Sequence, residues 1–271
     1  MNEPACLSVV RGDAPLLVSL PHTGLDLDPI ESRLVSPWLA RKDADWHIER
    51  LYDFAGELGA TVVRTAMSRT MIDVNRDPSG ASLYPGQATT ELCPITTFDG
   101  EALYREGEAP LPDEIAERRA KWFDPYHAAL RGEIARLRSR HDRIVLYDCH
   151  SIRSVIPRLF EGELPVFNLG TNGGVSADRA LANAVAEIVM ASGQPSVVNG
   201  RFKGGWITRT YGDPARGVHA LQMELACRSY MREPREVGSD NWPSPFDPEF
   251  AGAMRRTLRK ILQTALGWAH G

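Results

Sequence analysis

Pro15-Leu16-Leu17-Val18-Ser19-Leu20 runs straight into Pro21-His22-Thr23-Gly24, and Arg143-Ile144-Val145-Leu146-Tyr147 runs into Asp148-Cys149-His150-Ser151. Both apolar runs are too short for a helix and both stop abruptly in polar or turn-forming residues, the pattern of a buried strand ending in a loop. Working outward, residues 37–58 carry Trp38, Leu39, Trp46, Ile48, Leu51, Tyr52 and Phe54 near helical spacing, with Gly56 and Gly59 marking the end. Residues 60–66 are β-branched and strand-like. A long Pro-, Gly-, Ser- and Thr-rich stretch, 77–112, follows as a loop, of a length that usually carries function or a lid. Residues 113–140 then read as an amphipathic helix bent near Pro125, 177–190 as a helix, 195–199 and 219–225 as strands, and 248–268 as a closing amphipathic helix. Strands alternating with helices predict an α/β fold with a largely parallel or mixed sheet.

Composition narrows the function classes. The 271 residues suit one compact domain, and 43% hydrophobic residues suffice for a sizeable core. A net charge of −4 without long single-sign blocks argues against nucleic-acid binding through phosphate neutralisation. No run reaches the roughly 18 apolar residues of a membrane span. Residues 1–10 are acidic, broken by Pro4, and lack the basic start and apolar stretch of a secretory signal. Cys6, Cys93, Cys149 and Cys227 are far apart with no C-x-x-C pair, which fits free thiols in a reducing compartment. The cytoplasm is the expected location.

Three strand-like runs end in, or contain, a group able to bind metal or move a proton: His22, His150 and Glu224. Loops converge at the carboxyl ends of strands in open α/β sheets, so His22 and His150, 128 residues apart, can face one crevice. Two imidazoles and a carboxylate make a zinc site with a position left for water. A histidine after a strand is more often a loop hydrogen-bonder, but Asp148, two residues before His150, is placed to orient its ring. Glu224 lies between Met223 and Leu225, where a carboxylate is costly to bury unless paired; on alternation alone it faces either the site or solvent. Asp43, Asp45, His47 and Glu49 cluster at the start of the second helix, Asp45 and Glu49 sharing one face, although acids in a first turn also serve the helix dipole.

Arginines gather in two stretches, Ser68-Arg69 to Arg76 and the glycine-containing Gly200 to Arg209. Their planar forks grip carboxylates at two points, though surface ion pairs are the commoner fate of any one arginine. Gly204-Gly205 matches no phosphate-cradling pattern, so nucleotide binding is unsupported. There is no G-x-S-x-G elbow, and Cys149 and His150, as neighbours in a strand, point to opposite faces and form no dyad.

Taken together, Pro21-His22-Thr23-Gly24, Asp45-Trp46-His47, Ile72-Asp73-Val74-Asn75-Arg76, Leu83-Tyr84-Pro85-Gly86, Pro125-Tyr126-His127, Asp148-Cys149-His150-Ser151, Arg158-Leu159-Phe160-Glu161-Gly162, the Gly200–Arg209 stretch and Gln222-Met223-Glu224-Leu225 resemble the N-formylglutamate amidohydrolase (N-formylglutamate deformylase) family, in that family's order and over about residues 15–232. A more distant similarity is to the zinc carboxypeptidases and aspartoacylases. The resemblance implies one amidohydrolase domain over 1–271: a three-layer α/β/α fold with a mixed, mostly parallel sheet, like the zinc carboxypeptidases and phosphorylase/hydrolase proteins. It also implies hydrolysis of N-formyl-L-glutamate to formate and L-glutamate in histidine degradation. His22, Asp45 and His150 are the implied ligands of a divalent metal, with Zn2+ the expected ion. The distant relatives carry His-x-x-Glu where Thr23-Gly24-Leu25 follows His22 here, so the carboxylate ligand must come from elsewhere, Asp45 first and Glu49 as the alternative.

On the same resemblance Glu224 is the base, and Asn75-Arg76 holds a substrate carboxylate, with Arg76 or Arg69 stabilising the oxyanion. Arg209, Arg201 and Arg153 compete for the second carboxylate, with Thr208 beside them. The implied partner is a small molecule with two carboxylates, and neither nucleic acid nor membrane. Two rival readings stand beside this one: an amidase acting on another N-acyl amino acid, and a non-catalytic binding protein for acidic metabolites.

Overall fold

The computed structural model describes residues 6–271; positions 1–5 of the leader expectation lie outside the described residues. The strands are β1 (Leu7–Val10), β2 (Leu16–Leu20), β3 (Thr61–Thr65), β4 (Ile144–Ile152), β5 (Phe167–Gly170), β6 (Ser196–Val198) and β7 (Val218–Ala226), in one sheet of order β1-β3-β2-β4-β7-β5-β6. The β3/β2, β2/β4, β4/β7 and β5/β6 pairs are parallel, and β1/β3 and β7/β5 are antiparallel. The helices are α1 (Pro37–Arg41), α2 (Ile48–Leu51), α3 (Pro112–Arg118), α4 (Asp124–Arg138), α5 (Arg179–Ala191), α6 (Trp206–Tyr211) and α7 (Pro248–His270).

The alternation of side chains along the central strands makes two cores. Val18, Tyr147, Met223 and Leu225 pack on one face against Leu181 and Val185 of α5 and Leu258 and Ile261 of α7. Leu17, Leu146 and Ala220 pack on the other against Tyr126, Leu130 and Leu137 of α4. This is the expected three-layer arrangement with a mixed, mostly parallel sheet. Among the described residues no helix is long and apolar enough to cross a membrane, and all four cysteines are free.

Several elements differ from the sequence expectation. The single helix expected over 37–58 is broken into α1, α2 and a 3-10 stretch, because Asp45 donates its N–H to His22 O at 3.0 Å and His47 takes a left-handed conformation (φ 62°). That break turns Asp45 inward. Asp148 to Ser151 do not follow β4 but lie within it. The long helix expected over 113–140 is α3 and α4 in succession. It passes through a π-helical turn, Arg119–Phe123, just ahead of Pro125, whose missing N–H the wider turn accommodates. The short strands β1 and β5 and the helix α6 were not anticipated. β2, β4 and β7 run parallel, so their carboxyl ends share one edge of the sheet.

Candidate metal centre and active-site cleft

His22 lies two residues past β2, His150 within β4, and Asp45 in the turn between α1 and α2, all three buried. His22 Nδ1 is 3.2 Å from His150 Nδ1, and Asp45 Oδ2 is 3.2 Å from His150 Nδ1 and 3.6 Å from His22 Nδ1. On their outer edges the imidazoles meet carboxylates, His22 Nε2 with Asp73 Oδ1 at 2.7 Å and His150 Nε2 with Asp148 Oδ2 at 2.9 Å. A carboxylate only accepts, so each Nε2 carries the proton and each Nδ1 lone pair turns inward. Three lone-pair donors thus converge on one point.

This donor set fits a metal ion. Ligand atoms about 2.0–2.1 Å from a tetrahedral zinc stand about 3.3 Å apart, close to the separations here, and carboxylates behind the histidines are the usual support of such ligands. Asp45 Oδ1, buried without a hydrogen-bond partner, marks this carboxylate as poorly served by protein donors alone. Burial raises the Asp45 carboxyl, but hydrogen bonds and charge from His150 and His22 outweigh it and hold it below the carboxylate range. Burial alone would lower His150; the Asp148 and Asp45 carboxylates overcome it and raise it well above the ordinary value. A field that favours a proton there favours any cation. Glu49, the alternative ligand, is on the surface paired with Arg64 and is not among the converging groups.

Glu224 faces the site, not solvent. It is the register partner of His150 across the β4/β7 pair and is only 6% exposed. Burial, with Asp45 nearby, pushes its carboxyl up to about 7 against the lowering pull of His150, Arg69 and a hydrogen bond from Gln222. His22, His150, Glu224, Gln222 and Asn75 line one cleft, walled further by Arg69, Arg76, Arg201, Tyr84, Phe98 and Phe202.

The arginines sort themselves by partner. Arg69 is committed to Asp73 (2.7 Å) and lies near Asp45 (3.9 Å). Arg76 donates to Thr90 O and Oγ1, its closest carboxylate being Asp73 at 3.8 Å. Arg201 donates to the carbonyls of Leu159 and Ala88 and stacks over Tyr84 and Phe202; burial lowers its pKa. Arg153 is not brought to this cleft: it binds Asp43 and Asp99 and lines a separate cavity with Lys42, Glu163 and Arg228. Arg209 donates to Gly204 O and stacks on Tyr84. Neither it nor buried Thr208 lines the cleft. The Asn75 amide accepts from Ile207 N at 2.8 Å and donates to Asp148 Oδ2 at 3.3 Å while lining the cleft.

Some residues of the site escaped the sequence reading. Asp73 sits inside a quoted motif with nothing to mark it as the partner of His22. Gln222 had a usable signal, since it is two residues before Glu224 and shares its strand face. The chain from Tyr126 OH to Ser19 Oγ (2.9 Å) and on to Asp148 Oδ1 (2.8 Å) joins segments too distant to connect by spacing.

Residues 14–231 match the family model described as N-formylglutamate amidohydrolase. The N-formylglutamate deformylase of Pseudomonas aeruginosa is 46% identical over 264 residues, covering 97% of this chain and 96% of the relative, and that of Pseudomonas putida is equally similar. Among solved structures, an N-formylglutamate amidohydrolase from Ralstonia eutropha superposes with a TM-score of 0.80 at 21% identity, over 98% of this chain and 99% of that one. A gene product from Agrobacterium tumefaciens superposes at 0.71 and 16% identity, over 99% and 98%. These two likenesses concern the fold.

Proposed function

This chain belongs to the N-formylglutamate amidohydrolase family, and from that premise we propose that it is a single-domain, metal-dependent deformylase, residues 1–271, cleaving the formamide C–N bond of N-formyl-L-glutamate to formate and L-glutamate. It does so in the cytoplasm, within histidine degradation. His22, Asp45 and His150 hold the metal, with Zn2+ the expected ion. The observation that carries the substrate reading is the pairing of charges in the cleft. Arg69 is neutralised by Asp73, whereas Arg76 and Arg201 hydrogen-bond mainly to uncharged oxygens. Two undercompensated guanidiniums suit two substrate carboxylates, each held by charge-assisted hydrogen bonds.

A divalent ion in this site supplies Lewis-acid polarisation of a carbonyl and lowers the pKa of water from 15.7 to about 7. The rest is done by the chain's own groups. Arg76 and Arg201 anchor the carboxylates and set the formyl carbon near Glu224, and Arg76 or Arg69 steadies charge that develops on the formyl oxygen. Glu224 takes a proton from water as its oxygen bonds to the formyl carbon. It then delivers that proton to the nitrogen as the C–N bond breaks, leaving formate and the amine of glutamate. A carboxyl near 7 suits both transfers.

Release of formate from N-formylglutamate, compared with N-acetylglutamate and N-formylaspartate, tests the reading. Preference for N-formylglutamate supports it. Preference for another acyl amino acid would make the chain an amidase of different specificity, and no hydrolysis of any would leave a binding protein.

A further inference from the structure

We infer that Gln222 is a positioning residue for Glu224, its side-chain amide oriented by the backbone of the 203–205 loop. The inference rests on the reading of Glu224 as the base. Gln222 and Glu224 are two apart on β7, so their side chains leave the same face, and both are buried. Gly205 N donates to Gln222 Oε1 at 2.6 Å. A backbone N–H can only donate, so the oxygen of the carboxamide must face the loop and its NH2 group must face the other way. There Nε2 donates to Glu224 Oε2 at 3.1 Å. That bond fixes one oxygen of the carboxylate that lines the cleft and leaves Oε1 to meet a proton.

The loop reaches Gln222 because two glycines let it approach. Gly170 on β5 is the register partner of Gln222, and a Cβ there would stand 2.7 Å from the Lys203 carbonyl carbon and 2.8 Å from Gly204 N. A Cβ on Gly205 would stand 2.4 Å from Asn75 Nδ2. Just past the loop, at the start of α6, Ile207 N donates to Asn75 Oδ1 at 2.8 Å and so turns the Nδ2 of a second carboxamide toward Asp148 Oδ2 at 3.3 Å. The loop that carries Arg201 therefore also aims the proton-transfer group.

The test is a cycle in the metal-loaded enzyme. Gln222→Met keeps the length without donor or acceptor; Gln222→Glu keeps the shape and an oxygen for Gly205 N–H but has no N–H to offer Glu224. Each is expected to lower kcat about 10–100-fold, the worth of a hydrogen bond to a charged group, with KM within about twofold and bound metal unchanged. In the Glu224→Gln background, adding Gln222→Met is expected to cost nothing further, because the residue acts only through the base. Unchanged kcat in both single variants, or losses that multiply in the double variant, would overturn the inference and leave the base standing. A Glu224→Gln enzyme of near-normal activity would remove the base and the inference with it.

Discussion

His150 on β4 and Glu224 on β7 are register partners across a parallel strand pair, both turned to the face of the sheet that α4 covers. A metal-type ligand and a carboxyl raised by burial are thus held at a fixed spacing by sheet geometry, not by loops. Constellations built on strands hold their spacing better than loop-borne ones.

The first consequence concerns Glu224. Glu224→Gln preserves shape and hydrogen-bonding size but cannot take a proton, so kcat is expected to fall about 10²–10⁴-fold, the usual range for a general base, while bound metal stays at the wild-type level. Steady-state kinetics with elemental analysis on the same sample reads both.

The arginines divide into two groups by their partners. Arg76→Ala and Arg201→Ala are each expected to raise KM for N-formylglutamate about tenfold or more, from loss of a charge-assisted contact. Arg153→Ala should leave KM unchanged and lower the melting temperature, because it leaves Asp43, already raised by burial, without its main cation. A KM effect at Arg153 equal to that at Arg201 would contradict the assignment.

Asp73 and Asp148 stand behind the two histidines at 2.7 and 2.9 Å. Asp73→Asn removes the charge that fixes the His22 tautomer and is expected to weaken metal binding about 10–100-fold, measured by competition with a chromogenic chelator. Unaltered affinity would mean that His22 needs no such support.

Acid sensitivity is predicted at His127. Its Nε2 donates to Val74 O and its Nδ1 accepts from Tyr211 OH, both at 2.8 Å, so the neutral ring is fully served. Burial pushes its pKa down from 6.5 to about 4. Between those values the unfolded chain binds a proton that the folded chain refuses, so stability falls as pH drops through that window. The loss approaches about 3 kcal/mol at the acid end, at 1.36 kcal/mol per pKa unit. Urea melts at pH 7 and pH 4.5 should show His127→Gln losing less stability between the two than the wild type does.

Much of this was legible in the chain. Short apolar runs broken by His22 and Asp148-Cys149-His150-Ser151 announced the strand edge on which the site sits, and Asp148 was readable as the support of His150 from a spacing of two. Other features were not, for physical reasons. Apolar spacing over 37–58 is helical on average, but one backbone hydrogen bond from Asp45 to His22 O breaks the helix, and only that tertiary contact separates Asp45 from Glu49 as a ligand. The fate of each arginine depends on which carboxylates fold beside it. Arg153 met Asp43 and Asp99, segments away in sequence, and was lost to the cleft. β5 is four residues long, too short for alternation to show.

The central claim is that His22, Asp45 and His150 share one divalent ion. Elemental analysis of the purified protein and of its His150→Ala variant, each equilibrated with zinc and then desalted, tests it most directly. The account predicts about one zinc per wild-type chain and little in the variant, as expected of a three-ligand site with one position open to water. A wild-type chain that retains no metal, or a variant that retains as much as the wild type, would contradict it.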